Sequence, residues 1–323
     1  MSSAWRKLRS RLLTPSLRDC QPEVRGFHAK DRQTRDLLES VGATFIAGFG
    51  QAAYARTPNE AEQQLERVDR PLRGFAYEGA AMGFAVLDAL RPGRPRSVAR
   101  FLRGRAGDHV YMVHVGIGWA LARLPRPLWA RVLPTDPLLR WLALDGYGFH
   151  QGYFHTERYV DGQHRDDLRW PGDTTRPYRH RAIDQGLGRV LWFVEGADPD
   201  RVAVRIEKFT PDRRADLFSG AGLAATYAGG AGEAELRSFR DRAGEHRAAV
   251  AQGSAFAAKA RVRAGLVTAH TRTATEVFCG LTPERAAAVT DDALLGLPAD
   301  AALPAFEIWR RRIAEELALL GRC

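Results

Sequence analysis

Lysine is almost missing from this chain of 323 residues: only Lys7, Lys30, Lys208 and Lys259 occur, so nearly all of the 48 basic residues are arginine. Against 38 acidic residues they leave a formal net charge of +10 at pH 7. The arginines are interspersed with acids, the main exception being the run RPGRPRSVARFLRGR at residues 91–105. No nucleic-acid module accompanies them, so nucleic acid is not an expected partner. Cysteine is scarce too. Cys20, Cys279 and Cys323 stand far apart and without paired spacing, which argues against a cysteine-held metal or redox centre and predicts reduced thiols of an intracellular protein. No apolar run approaches the roughly 20 residues needed to cross a bilayer, and the first residues lack the apolar stretch of a cleavable signal. No transmembrane segment is therefore expected, and the expected location is the cytoplasm. Also missing are a Gly-x-Ser-x-Gly elbow, a Gly-Lys-Ser/Thr phosphate loop and a cysteine beside a histidine, so hydrolase, kinase and thiol-enzyme classes lose support.

What the chain does have is a repeated glycine pattern. The stretches FIAGFGQAAY, YEGAAMGF, VHVGIGWALA, DGYGFHQGYF, DQGLGRVLWF, FSGAGLAATY and AQGSAFAAKA align on Gly48, Gly79, Gly116, Gly146, Gly186, Gly220 and Gly253. They recur about every 30 to 40 residues, the period of helix-hairpin repeats. The text between them, such as EAEQQLERVDRPLRGF and TPERAAAVTDDALLGL, places apolar residues at three- and four-residue steps behind Pro, Asp or Thr, as helices do. Alternating strand patterns are nearly absent. The Gly-x-Gly pairs lack a preceding strand and a third glycine at the right spacing, which argues against a dinucleotide-binding fold. A glycine inside a helix costs about 1 kcal/mol against alanine. Five of the seven carry a small residue four positions on: Ala52, Gly83, Ala120, Ala224 and Ala257. Close helix packing through small-xxx-small faces would explain both facts.

The expected fold is all-α: a superhelical array of about seven helical hairpins, an α-solenoid of tetratricopeptide-like kind. Residues 1–25 form a basic amphipathic N-terminal segment, with Trp5, Leu8 and Leu12 on one helical face among Arg6, Lys7, Arg9 and Arg11. A short helix capping the fold is the favoured reading there, and docking on a membrane surface is the alternative. Residues 26–323 form a single helical repeat domain, interrupted near 155–181 by a long polar loop, either beside a functional surface or mobile.

The position before each shared glycine reads Ala47, Glu78, Val115, Asp145, Gln185, Ser219 and Gln252, five of the seven polar. Equivalent repeat positions line one common surface or interior. With His114, His150 and Arg189 close by in sequence, two readings stand side by side. Such residues pair helix to helix, because buried polar groups need partners; or Glu78, His114, Asp145 and His150 form a general acid/base set. No His-x-x-x-His or Glu-x-x-His spacing occurs among them, so no metal is assigned, and no residue pattern names a cofactor. Aromatic residues share these helices, and although each reads first as core, together they would furnish an apolar channel for a flat, conjugated or oily ligand. Trp119, Phe149, Trp192 and Tyr227 would contact it, with Gln185 and Arg189 as polar contacts.

The strings RGFAYEGAAMG, YMVHVGIGWALARL, DPLLRWLALDGYGFHQGYF, DQGLGRVLWFVEGADPDRVA and RRADLFSGAGLAATYAGG resemble an uncharacterised bacterial family encoded beside the iterative polyketide synthases that make enediyne antibiotics. The resemblance covers roughly residues 25 to 280. It implies an accessory protein acting near the stage where a linear polyene becomes an enediyne core. Its partners would be a hydrophobic polyene or polyketide intermediate, or the other enediyne cassette proteins. It carries over no reaction and no catalytic residues. The expected function is therefore binding, and conversion if the acid/base set is real, of a polyene-derived intermediate; the alternative is a non-catalytic scaffold for the cassette.

Overall fold

The computed structural model describes residues 3–93, 96–173, 178–298 and 302–320. Among these residues every regular element is helical and no strand occurs, as the period predicts. The chain divides into two compact units, one of Met1–Gly26 with Asp36–Tyr147 and one of Phe27–Arg35 with Gly148–Cys323. The division falls inside the span expected to be a single repeat domain, between Tyr147 and Gly148.

The first unit takes in α1 (Ser3–Leu13), α2 (Pro22–Arg25), most of α3 (Arg32–Tyr54), α4 (Pro58–Leu65), α5 (Arg70–Leu90), α6 (Ser97–Phe101), α7 (Val110–Arg123) and the first half of α8 (Trp141–Phe154). Starts and stops follow local chemistry. Thr57 accepts from the Glu60 amide ahead of Pro58, an N-cap with proline at the first helical position. At the far end of α3, Arg9 donates to the carbonyls of Ala53 and Ala55, satisfying acceptors the helix leaves open and opposing its dipole. Helix α1 thus turns Arg6 and Arg9 inward and leaves Lys7 and Arg11 exposed.

The second unit holds the rest of α8 and α9 (Arg179–Val194), α10 (Pro199–Glu207), α11 (Pro211–Ala228), α12 (Glu233–Arg242), α13 (Arg247–Arg263), α14 (Ala269–Cys279), α15 (Pro283–Asp292) and α16 (Ala305–Leu319). Helix α11 packs against α9 and α13, and α13 against α15, while α10 packs on α12 and α12 on α14. These make two layers, one of α9, α11, α13 and α15 and one of α10, α12 and α14. The long loop near 155–181 is packed down at intervals: a single helical turn spans Glu157–Asp161, and Tyr159, Val160, Asp166, Leu168 and Trp170 are buried between exposed neighbours. Its residues 174–177 lie outside the described residues.

Glycine sets the spacing between neighbouring helices. Residues two apart in a helix point about 200° apart, so a Gly-x-Gly pair bares the backbone on two opposite faces. On α7, a Cβ at Gly116 would meet the Glu78 carbonyl of α5, and one at Gly118 the Ala143 carbonyl of α8, both well inside 3.0 Å. On α11, Gly220 faces the Gln185 carbonyl of α9 in the same way, and Gly222 faces the Val250 carbonyl of α13, which a Cβ would approach to 2.6 Å. Small-xxx-small packing is seen between α3 and α5, where Gly83 sits against Ala52 and Phe49. At α7 and α11 the partner glycine is two residues on, which the alignment on one shared glycine conceals.

The helices so joined run parallel. Between α11 and α13, Ser219 bonds Gln252 and Tyr227 receives Arg261, so residue numbers climb together. Between α9 and α11, Gln185 bonds Ser219 and Trp192 bonds Gly229, again climbing together. Gly220→Ala should therefore lower stability by about 1–3 kcal/mol through overpacking. At Gly50 an added Cβ comes no nearer than 3.6 Å, to Thr14, and Gly50→Ala should raise stability by up to about 1 kcal/mol. Urea unfolding of the two variants checks the contrast.

Candidate functional site

In the first unit, the seam around α7 gathers three of the proposed acid/base residues on adjacent helices. Glu78 on α5 is buried and accepts a hydrogen bond from Trp119 Nε1 at 3.0 Å. The Trp119 ring lies 4.5 Å from that of Phe45. His114, one turn into α7, engages its own backbone, with Nδ1 2.8 Å from the Val110 carbonyl. Burial pushes its pKa down, so the imidazole is neutral near pH 7. Asp145 on α8 is buried at 2% exposure. Helix α7 stands between the helices carrying the two carboxylates.

In the second unit, His150 is buried with its ring 4.6 Å from Phe154 and Nδ1 3.4 Å from Gln151 Oε1. Gln151 donates to the Tyr159 hydroxyl at 2.8 Å, which donates to Asp166 at 2.7 Å. Half-exposed His164 reaches the same carboxylate at 3.3 Å. The excursion after α8 thus supplies the partners of this group. Phe149 packs edge-on against Phe193 at 5.2 Å, under the Arg189 guanidinium at 5.1 Å. Trp192 and Tyr227 belong to other clusters: Trp192 donates to the Gly229 carbonyl and meets Phe239, while Tyr227 lies beneath Arg261.

The pre-glycine positions of the second unit form a buried ladder. Gln185 donates to Ser219 at 3.4 Å, Ser219 donates to Gln252 at 2.7 Å, and Arg310 of α16 donates to Gln252 at 3.2 Å. Arg310 also reaches Asp216 at 2.8 Å and the Tyr178 hydroxyl at 3.0 Å. Arg181 joins Asp216 at 2.8 Å and Glu307. A second ion pair, Arg213 with Asp184, is buried on both sides, with Arg213 Nε 3.1 Å from each carboxylate oxygen. Sequence reasoning found Gln185, Ser219 and Gln252 through the repeat alignment. It missed Arg310, Asp216, Glu307 and Tyr178, which lie off the aligned positions. Every proposed site side chain is buried, from Gln185 and Trp192 at 0% to Trp119 at 8%. Among the described residues no group of three or more His, Cys, Asp or Glu side chains could hold a metal ion.

Residues 4–317 match the model of a family described as proteins of unknown function, DUF1702. The chain belongs to that family. No curated protein and no solved structure matches it. The DUF1702 match begins in α1 and ends in α16, so it takes in the ladder's terminal Arg310.

Two expectations follow for this DUF1702 protein. Removing one member of a buried ion cluster strands the others, so Arg310→Met should cost about 3–5 kcal/mol in urea unfolding. The second concerns pH. Burial lowers the pKa of His114, His180, His246 and His270 below 6.5. Above that value neither folded nor unfolded chain is protonated there. As pH falls below it, the unfolded chain takes up protons first, so stability falls. The urea midpoint should drop between about pH 6.5 and pH 5, and His114→Gln should make that drop smaller.

Proposed function

We propose that this protein is an α-solenoid of tetratricopeptide-like helical hairpins that serves enediyne polyketide biosynthesis in the cytoplasm as a non-catalytic scaffold for the other cassette proteins. The pathway rests on the resemblance of the five glycine-bearing strings. The scaffold role rests on one observation: polar residues of the seams are engaged within the fold, most of them with a neighbouring helix. Glu78 takes the Trp119 indole, His114 its own helix, and Gln185, Ser219 and Gln252 one another. A general acid or base must reach the proton it moves, and groups committed to holding helices in register are poorly placed for that.

A second reading, binding of a linear polyene-derived intermediate, has an observation of its own. In the second unit Phe149 is joined by Tyr153, Phe154 and Phe193, all partly exposed, with Arg189 over the Phe149 ring. Flat conjugated chains stack on such groups, and a guanidinium can hold a carboxylate end.

The two readings separate in the producing host. Under the scaffold reading, folded Asp145→Asn and Glu78→Gln proteins should sustain near-normal enediyne titre, and affinity capture should bring down cassette proteins. A loss on the order of the 10²- to 10⁴-fold that general acid/base groups contribute would return Glu78 and Asp145 to a catalytic role. A polyene extracted from the purified protein and identified by mass spectrometry would favour the second reading.

A further inference from the structure

Helix α1 turns Arg6, Arg9 and Ser10 inward. Arg6 is buried and pairs with Glu60 at 3.2 Å, Arg9 donates to the Ala53 and Ala55 carbonyls, and Ser10 donates to the Gly50 carbonyl at 3.2 Å. The residues left outward are apolar and basic. Trp5 is 51% exposed, Leu8 46% and Leu12 72%, and just beyond the helix Leu17 is 60% exposed. At 100° per residue Trp5, Leu8 and Leu12 fall within about 60° of one another, and exposed Lys7 and Arg11 border them on one side. No acidic residue occurs in α1. The nearby acid Glu60 is engaged by Arg6 and by the Arg56 amide. A helix that only closed a core would turn the leucines in and the arginines out.

Two further features lie beside this face in the same unit. A cleft of about 730 Å³ opens along the basic edge of α1, lined by Lys7, Arg11 and Thr14 on one side and by Gln51 and Tyr54 of α3 with Glu60 of α4 on the other. Burial, then the like charges of Arg91 and Arg6, hold the Arg9 guanidinium below its ordinary pKa, so the end of α5 brings another cation close. Its last residue, Leu90, is 54% exposed.

We propose that α1 seats the protein on an anionic lipid surface, with Leu8 and Leu12 entering the headgroup boundary and Lys7 and Arg11 pairing with lipid phosphates at the mouth of the cleft. A short apolar stripe edged by cations, on a helix otherwise fixed to the fold, is the form of an interfacial helix. Charge complementarity selects the occupant: α1 carries Lys7 and Arg11 outward with no acid of its own, the cleft's one acid, Glu60, is held by Arg6 and the Arg56 amide, and a bilayer surface offers both anions and apolar depth. The contact is peripheral, since among the described residues no helix is long and apolar enough to cross a membrane.

Flotation of the full chain with vesicles of phosphatidylcholine alone, or of phosphatidylcholine mixed equally with phosphatidylglycerol, tests this. The wild type should float with the mixed vesicles and only weakly with the neutral ones. Each basic residue near a charged surface contributes about fivefold in binding, so Lys7→Ala with Arg11→Ala should weaken binding to mixed vesicles by roughly 25-fold. Leu8→Ser with Leu12→Ser should abolish it while leaving the circular dichroism unchanged, because these side chains already face water. Two flotation results would overturn the proposal: a wild type that stays unbound to mixed vesicles at low salt, or undiminished binding by the serine variant. Sedimentation of the lipid-free protein supplies a third. Self-association that the serine variant disperses would assign the face to a second copy of the chain instead.

Discussion

Contact between a glycine of one helix and a backbone carbonyl of the next is the constraint from which the rest of the structure follows. At Gly116, Gly118, Gly220 and Gly253 there is no room for a Cβ against the neighbouring carbonyl. Helices this close bring Cα–H groups onto carbonyl oxygens, a weak attraction of perhaps 0.5–1 kcal/mol each, and exclude water from the seam. The roughly 1 kcal/mol that each interior glycine costs its helix is offset only if the contact forms. The glycines therefore specify which face meets which neighbour.

Close approach also constrains the polar positions beside the glycines. A side chain one residue before such a contact is carried into the dry seam, where a polar group without a partner costs a few kcal/mol. The second unit meets this with a ladder: Gln185, Ser219 and Gln252 hand hydrogen bonds from helix to helix, and Arg310 closes the series against Asp216 and Tyr178. The first unit meets it with Glu78 on the Trp119 indole. At Glu78, Gln185, Ser219 and Gln252 the buried polar group thus has its partner on a neighbouring helix.

Much of the fold was legible because periodicity is a local signal. The spacing of Gly48, Gly79, Gly116 and their successors, with apolar steps of three and four between them, predicts an all-helical chain, and the described residues are helical without strand. The direction in which α1 docks was not legible. Its amphipathic pattern names two faces, and only the open carbonyls at the end of α3 show why Arg9 turns inward while Lys7 and Arg11 stay exposed. Candidate site residues were legible as positions but not as partners. Gln185, Ser219 and Gln252 could be aligned from the repeat, whereas Arg310 meets Gln252 across 58 residues and shares no motif with it. Tyr159 and Asp166 come from a segment whose polar, aperiodic text gives no sign that they are buried.

The central claim is that the helices are held in register by glycine-to-carbonyl contact, and its most direct measurement is a distance. In a crystal structure of the protein, the Cα of Gly220 should lie about 3.3–3.6 Å from the Gln185 carbonyl oxygen, the range of a Cα–H···O contact, and the Cα of Gly253 equally close to the carbonyl oxygen of Ser219. Helix axes at the ordinary separation of about 8–10 Å, with those atoms well beyond contact and side chains between them, would contradict the account.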